Sequence, residues 1–162
     1  MAANTGRTVG KFIKVQISDT GDTLRDIPVS TIGGVGITYD EVDLAALQDA
    51  VKGVLPGQGN LGITITGPFD TTAAQAASAT TQAAALSGSH TVLQPLNGGT
   101  TPLSFAVYFG ISHYWEAGEP VFGGENLFLV TDYMVNDDGT YSATIKLSAG
   151  AAAPTWGTAA IS

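Results

Sequence analysis

Residues 125–148 read ENLFLVTDYMVNDDGTYSATIKLS. Leu127-Phe128-Leu129-Val130 is an unbroken apolar run, as in a strand covered on both faces. Asn136-Asp137-Asp138-Gly139 comes next, built from residues that tolerate the backbone angles of tight turns. Beyond it Tyr141, Ala143, Ile145 and Leu147 alternate with Ser142, Thr144 and Lys146, the period of a strand with one buried face. Residues 125–148 therefore predict an antiparallel hairpin.

The same alternation recurs upstream. Ile13, Val15 and Ile17 alternate with Lys14, Gln16 and Ser18, and Leu61, Ile63 and Ile65 with Gly62, Thr64 and Thr66. Leu103, Phe105, Val107, Phe109 and Ile111 alternate with Ser104, Ala106, Tyr108 and Gly110. Each set places its large apolar side chains on one face, so half-buried strands are expected. A turn at Ala117-Gly118-Glu119-Pro120 leads to a short strand near Val121, and a further strand is expected over residues 27–39, interrupted by Gly33, Gly34 and Gly36. One helix is predicted over about residues 71–87. Asp70-Thr71-Thr72 offers caps, residues 73–86 are alanine-rich, and Ser87-Gly88 ends the segment. Residues 43–54 read two ways. Leu44, Leu47 and Val51 have helical spacing after Asp43, while Gly53 and Leu55-Pro56-Gly57-Gln58-Gly59 suit a long exposed loop.

Composition narrows the functional classes. A chain of 162 residues, 44% hydrophobic, is the size of one domain with an ample core. Charged residues are only 12%, so the surface is poorly protected against association. The net charge of −8 offers no basic footprint for gripping phosphates. Cysteine is absent, which removes disulfides and thiolate chemistry. Residues 1–10 contain no apolar core of a secretory signal, and no apolar run is long enough to span a bilayer.

No catalytic constellation emerges. His90 and His113 lie in unrelated segments without ligand-spaced partners, so no metal or cofactor is expected; His90 reads as a loop residue. Glu116 with Glu119, or Asp40, Glu41 and Asp43, could be imagined as paired carboxylates, but acidic residues in turns are ordinarily solvated or capping. Ser87-Gly88-Ser89 lacks the strand-to-helix context of a nucleophile elbow, and Gly33-Gly34-Val35-Gly36 lacks phosphate-loop spacing. The tail, residues 149–162, cannot build a core. Its Pro154 and Trp156 suit an arm docking on a neighbouring subunit.

The order of elements, carried by GVGITYDEVDLAALQDAVKGVLPGQGNLGITITGPFD, TPLSFAVYFG, AGEPVFGGENLFLVTDYMV and DGTYSATIKLSAG, resembles the major tail tube proteins of long-tailed, siphovirus-type bacteriophages over about residues 12–150. The resemblance implies a mainly β fold: an antiparallel β-sandwich or partial barrel, one domain over residues 1–162, flanked by the helix at about residues 71–87. It further implies a structural, non-enzymatic subunit, made in the host cytoplasm and located in the virion tail, that forms stacked, hexameric rings. Inner strands of the copies would join around a channel through which genomic DNA passes without specific binding. The implied partners are other copies, the tape measure protein, and tail terminator and tip proteins, with no membrane. The loop at about residues 40–60 would contact the adjacent ring. Asp43, Leu44, Leu47, Val51, Leu55, Pro154 and Trp156 are the expected inter-subunit contacts. An acidic channel wall would repel DNA within a screening length of about 8 Å. Two rivals share parts of this pattern: another phage-derived subunit, such as a contractile-machine tube or capsid decoration protein, and a β-sandwich module binding carbohydrate or peptide. Tyr114-Trp115 is the one aromatic pair that would serve the latter.

Overall fold

The computed structural model of the chain describes residue 8 and residues 10–44, 53–77 and 86–161. A 3-10 turn at Gly10–Phe12 leads into β1 (Ile13–Ser18), β2 (Leu24–Ile27), β3 (Thr31–Gly33), β4 (Thr38–Asp43), β5 (Val54–Asn60) and β6 (Gly62–Pro68). Helix α1 (Ser89–Leu96), β7 (Leu103–Phe109), β8 (Val121–Val135), β9 (Thr140–Leu147) and β10 (Thr155–Gly157) complete the order. The main sheet runs β2-β1-β7-β8-β9-β6-β3, with β10 added to β8, and β4 pairs only with β5 in a separate sheet. All named pairings are antiparallel. The expected mainly β architecture is what the chain adopts.

β2 and β3 stand at opposite ends of the main sheet, yet only residues 28–30 separate them in the chain. So short a link has little reach, which brings the two ends together and coils the sheet into a partial barrel. The junction is tied by Tyr141, whose hydroxyl donates to the Pro28 carbonyl at 2.7 Å, and by the Ser30 amide, which donates to the Thr66 carbonyl at 2.7 Å. Burial pushes the Tyr141 hydroxyl far above the usual phenol range, so it stays a donor. The core inside is built from Val15, Ile17, Ile63, Ile65, Phe105, Phe128 and Ile145 with the helical side chains Val92, Leu93 and Leu96.

The predicted hairpin is present: β8 and β9 pair from Phe128↔Leu147 to Val135↔Tyr141, around the turn at residues 136–139. β8 begins at Val121, so the expected short strand is its first part. The expected strand over residues 27–39 is divided into the end of β2, β3 and the start of β4. Gly34, with φ of 76°, lies in the break, where any Cβ would collide with the Gly62 carbonyl.

Burial corrects two expectations. In the run Leu127–Val130 only Phe128 and Val130 are buried, and their neighbours are half-exposed. β1 and β7, expected to have one wet face, are instead covered on both: Lys14, Gln16, Ser18, Ser104, Ala106 and Tyr108 are all buried.

Among the described residues, the helix lies at Ser89–Leu96, beyond the expected segment. Residues 71–77 are irregular, and residues 78–85 lie outside the described residues. Asp70 does not cap a helix; its carboxylate accepts from the Thr72 amide at 2.8 Å and hydroxyl at 2.6 Å, a local turn that competes with helix initiation. Gln75 is held by Ser87 and by Arg25, and Leu86 bridges to Asp26 beside β2. Gly88, read as a stop, is the N-cap of α1. That helix contains His90 and Pro95, and forms because Val92, Leu93 and Leu96 share one face that the barrel buries.

Candidate functional site

Three features stand out from the barrel: an arm, a loop and a C-terminal strap. The arm is β4–β5, paired from Thr38↔Asn60 to Asp43↔Val54 with a bulge between Tyr39 and Glu41. Leu55-Pro56-Gly57-Gln58-Gly59 is therefore a strand, not a loop. Tyr39 lies across from Gly59, and a Cβ at residue 59 would press on the Tyr39 ring and on Ile37, so the glycine makes room for the aromatic. Tyr39, Val42, Leu44, Val54 and Leu55 are all exposed, Leu44 to 59%. Of the expected contact residues, the arm brings together Asp43, Leu44 and Leu55; Leu55 pairs with Val42, and Asp43 with Val54. Leu47 and Val51 lie outside the described residues.

The loop at residues 110–120 is organised by Glu119. One carboxylate oxygen accepts from the Ile111 amide and the other from the Glu116 amide, each at 2.8 Å. His113 approaches the same carboxylate at 3.4 Å. The Trp115 indole donates to the Glu119 carbonyl at 3.0 Å and meets the Tyr108 ring edge-on. The Glu119 carboxylate thus organises the loop, while the exposed Glu116 carboxylate lies 3.6 Å from His113. His90, on α1, faces the Tyr133 hydroxyl at 3.1 Å and the Phe69 ring.

The strap runs from β10 to Ile161. β10 pairs with the first residues of β8, from Thr155↔Gly123 to Gly157↔Val121. The Gly118 amide donates to Thr158 at 2.8 Å, and the Ile161 amide to the Tyr108 hydroxyl at 3.0 Å. The expected neighbour-docking arm is therefore docked on its own chain. Pro154 is buried there, while Trp156 leans on Phe109 and Phe122 and remains 56% exposed. With the loop, the strap roofs the second face of β7. Beneath it Lys14 lies 4.7 Å from the Tyr108 ring centre. Burial pushes the Lys14 ammonium below the usual lysine range, against the opposing charge of Asp26.

No protein-family model matches the chain, and no curated protein sequence does. Solved structures do. The tube-terminating cap of the anti-feeding prophage superposes with a TM-score of 0.57 at 12% identity, covering 98% of this chain and 96% of that one. A chain from the tail of an empty GTA particle with C6 symmetry gives 0.56 at 17% identity, covering 93% and 99%. A chain of the PVC sheath-tube complex, an extracellular contractile injection system, gives 0.52 at 12% identity, covering 95% and 93%. The fold is tail-tube-like. In this fold the main sheet coils into a partial barrel, and among the described residues the arm is a two-stranded element with no buried strand residue.

Proposed function

We propose that the chain is the repeating structural subunit of the tail tube of a phage or phage-like particle, residing in its tail and acting through shape and contact rather than catalysis. What supports this most is the agreement with tail-tube structures over 93% or more of both chains in each of those three comparisons. The arm fits the role. An isolated two-stranded hairpin is marginal in water, and this one exposes five large apolar side chains, so it is suited to burial against another copy. Asp43, Leu44 and Leu55 would meet the next ring, together with Leu47 and Val51, and the exposed face of Trp156 would meet a lateral neighbour. Pro154 would act by fixing the strap.

Six copies per ring is the proposed stoichiometry, in keeping with the C6 symmetry of the GTA tail. Head-to-tail contacts that close after one turn give rings, and stacked rings give a tube. β3 and the distal part of β8 border the four strands β8-β9-β6-β3 and have no second partner strand among the described residues; pairing them between copies would complete a continuous wall. Whether the tube belongs to a contractile or a long-tailed particle, the proposed cargo is DNA. Tape measure, terminator and tip proteins are the proposed further partners. A terminating ring of the same tube is the second reading, favoured by the cap among the similar structures. Electron microscopy of the concentrated full chain tests both. Stacked tubes support the repeating subunit, single unstacked rings the terminator, and a monomer at every concentration overturns both.

A further inference from the structure

Asn97 caps the C-terminal end of α1 and is followed by Gly98 and Gly99. It is the one asparagine of the chain's five that precedes a glycine; Asn4, Asn60, Asn126 and Asn136 precede Thr5, Leu61, Leu127 and Asp137. An asparagine-glycine pair carries its own reaction. The glycine amide nitrogen attacks the asparagine side-chain carbonyl carbon, the bond to the side-chain nitrogen breaks, and ammonia leaves a five-membered succinimide. Water then opens the ring to aspartate or isoaspartate. Glycine favours the attack because it has no Cβ to hinder the approach of its nitrogen.

In the folded chain the reacting atoms are held apart. The Gly98 amide donates to the Val130 carbonyl at 3.0 Å, so the nucleophilic nitrogen is committed to β8. Asn97 is extended, with φ −62° and ψ 125°, which turns that nitrogen away from its own side chain. Gly98 holds a φ of 73°, a conformation glycine adopts at little cost. The cap is seated by Leu93 and Leu96, both buried, and the Asn97 amide donates to the Leu93 carbonyl at 3.2 Å. The Asn97 residue itself is exposed, so water reaches it.

We propose that Asn97 is a modification site gated by the fold: it stays an amide while α1 is seated and deamidates when the helix end opens. The change is one-way. The new carboxylate stands at the negative end of the helix dipole, and isoaspartate lengthens the backbone that places Gly98 against Val130. Reclosure is then weaker than before. This holds for the free chain, whatever it assembles into.

The full chain is incubated at mildly alkaline pH, folded and in urea, and peptide mapping by mass spectrometry follows the aspartyl and isoaspartyl products. In urea Asn97 should convert ahead of the other four asparagines. In the folded chain it should convert at least about tenfold more slowly, because only the locally opened fraction reacts. Val92→Ala removes apolar contact that seats α1, so it should speed the folded reaction and leave the rate in urea unchanged. Urea below the unfolding transition makes the same comparison on the unsubstituted chain. Asn97→Gln should abolish the reaction in both states. Equal rates folded and in urea would remove the gate, and no conversion of Asn97 in urea would remove the site. A folded rate that neither Val92→Ala nor dilute urea raises would separate the gate from α1; each of these results overturns the proposal.

Discussion

Two hairpins invite comparison, β8–β9 within the barrel wall, turning at residues 136–139, and β4–β5 in a separate sheet as the arm. Backbone pairing is similar in both: antiparallel ladders of several residues, each with one bulge. Their side chains meet different surroundings. In β8–β9, Phe128, Val130, Tyr141, Ala143 and Ile145 are buried against the core. In β4–β5, no strand residue is buried. Ladder hydrogen bonds add little net stability because they replace bonds to water, so the first hairpin is held by apolar burial and the second has that contribution still to gain. Under the proposed function, a surface left in this condition is suited to burial in an assembly.

The largest effect expected is therefore on the buried hairpin. Phe128 is fully buried and packs on Phe105 with ring centres 5.3 Å apart. Phe128→Ala should lower the unfolding free energy by about 3–5 kcal/mol, through lost transfer energy and the cavity left behind. Urea denaturation of the monomer measures it. A loss no larger than that of an exposed site would mean that β8–β9 does not anchor the barrel.

Acid should have a smaller effect, concentrated at turns. The Asp138 carboxylate, in the β8–β9 turn, accepts from the Thr140 hydroxyl at 2.6 Å and its amide at 3.1 Å, which holds its pKa below the usual carboxylate range. Asp70 is lowered by the Thr72 hydroxyl and amide. At Asp19 burial raises the pKa, but bonds from Thr23, Arg25 and Gly21 outweigh it and the net shift is downward. Depressed carboxylates stabilise the fold above their unfolded pKa, near 3.8, and that stabilisation is lost as pH falls through the lower folded values. The urea midpoint should hold steady above about pH 5 and decline below about pH 4. Asp138→Asn, which keeps an acceptor but does not titrate, should make that decline shallower.

What the residue pattern reveals depends on what covers a segment. Ile63, Ile65, Tyr141 and Ile145 alternate because one face meets the core and the other meets solvent, so their strands and the intervening turn are legible directly. β1 and β7 alternate as well, yet Tyr108 is covered by Trp115 of the 110–120 loop and by Ile161 of the strap, and no local window contains that information. Alanine content favours a helix over residues 73–86, of which 73–77 are irregular and 78–85 lie outside the described residues, whereas Val92, Leu93 and Leu96 define α1 despite Pro95. That spacing is the available signal. Of the proposed contact residues, Leu55 can be found because it is apolar beside Pro56-Gly57, and Leu44 by its spacing from Leu47 and Val51. Trp156 can be found as an aromatic in a small-residue tail, but its docking on Phe109 and Phe122 cannot.

The smallest change in stability should accompany the largest change in assembly. Val42 and Leu55 are cross-strand partners in the arm, both exposed. Replacing both by serine removes little that the monomer uses, so the unfolding free energy should change by less than about 0.5 kcal/mol. It also removes apolar area that a neighbouring ring would cover, at about 25 cal/mol per Å², repeated at every copy around a ring. Val42→Ser with Leu55→Ser should therefore raise the concentration needed for tube growth or abolish growth, while the urea transition of the monomer is unchanged. Light scattering during assembly and monomer denaturation separate the two quantities. Normal assembly by the double variant would mean that the arm's exposed side chains are not the stacking contact. A large fall in monomer stability would mean that they pack within the chain after all, and the contrast between the two hairpins would then be one of degree.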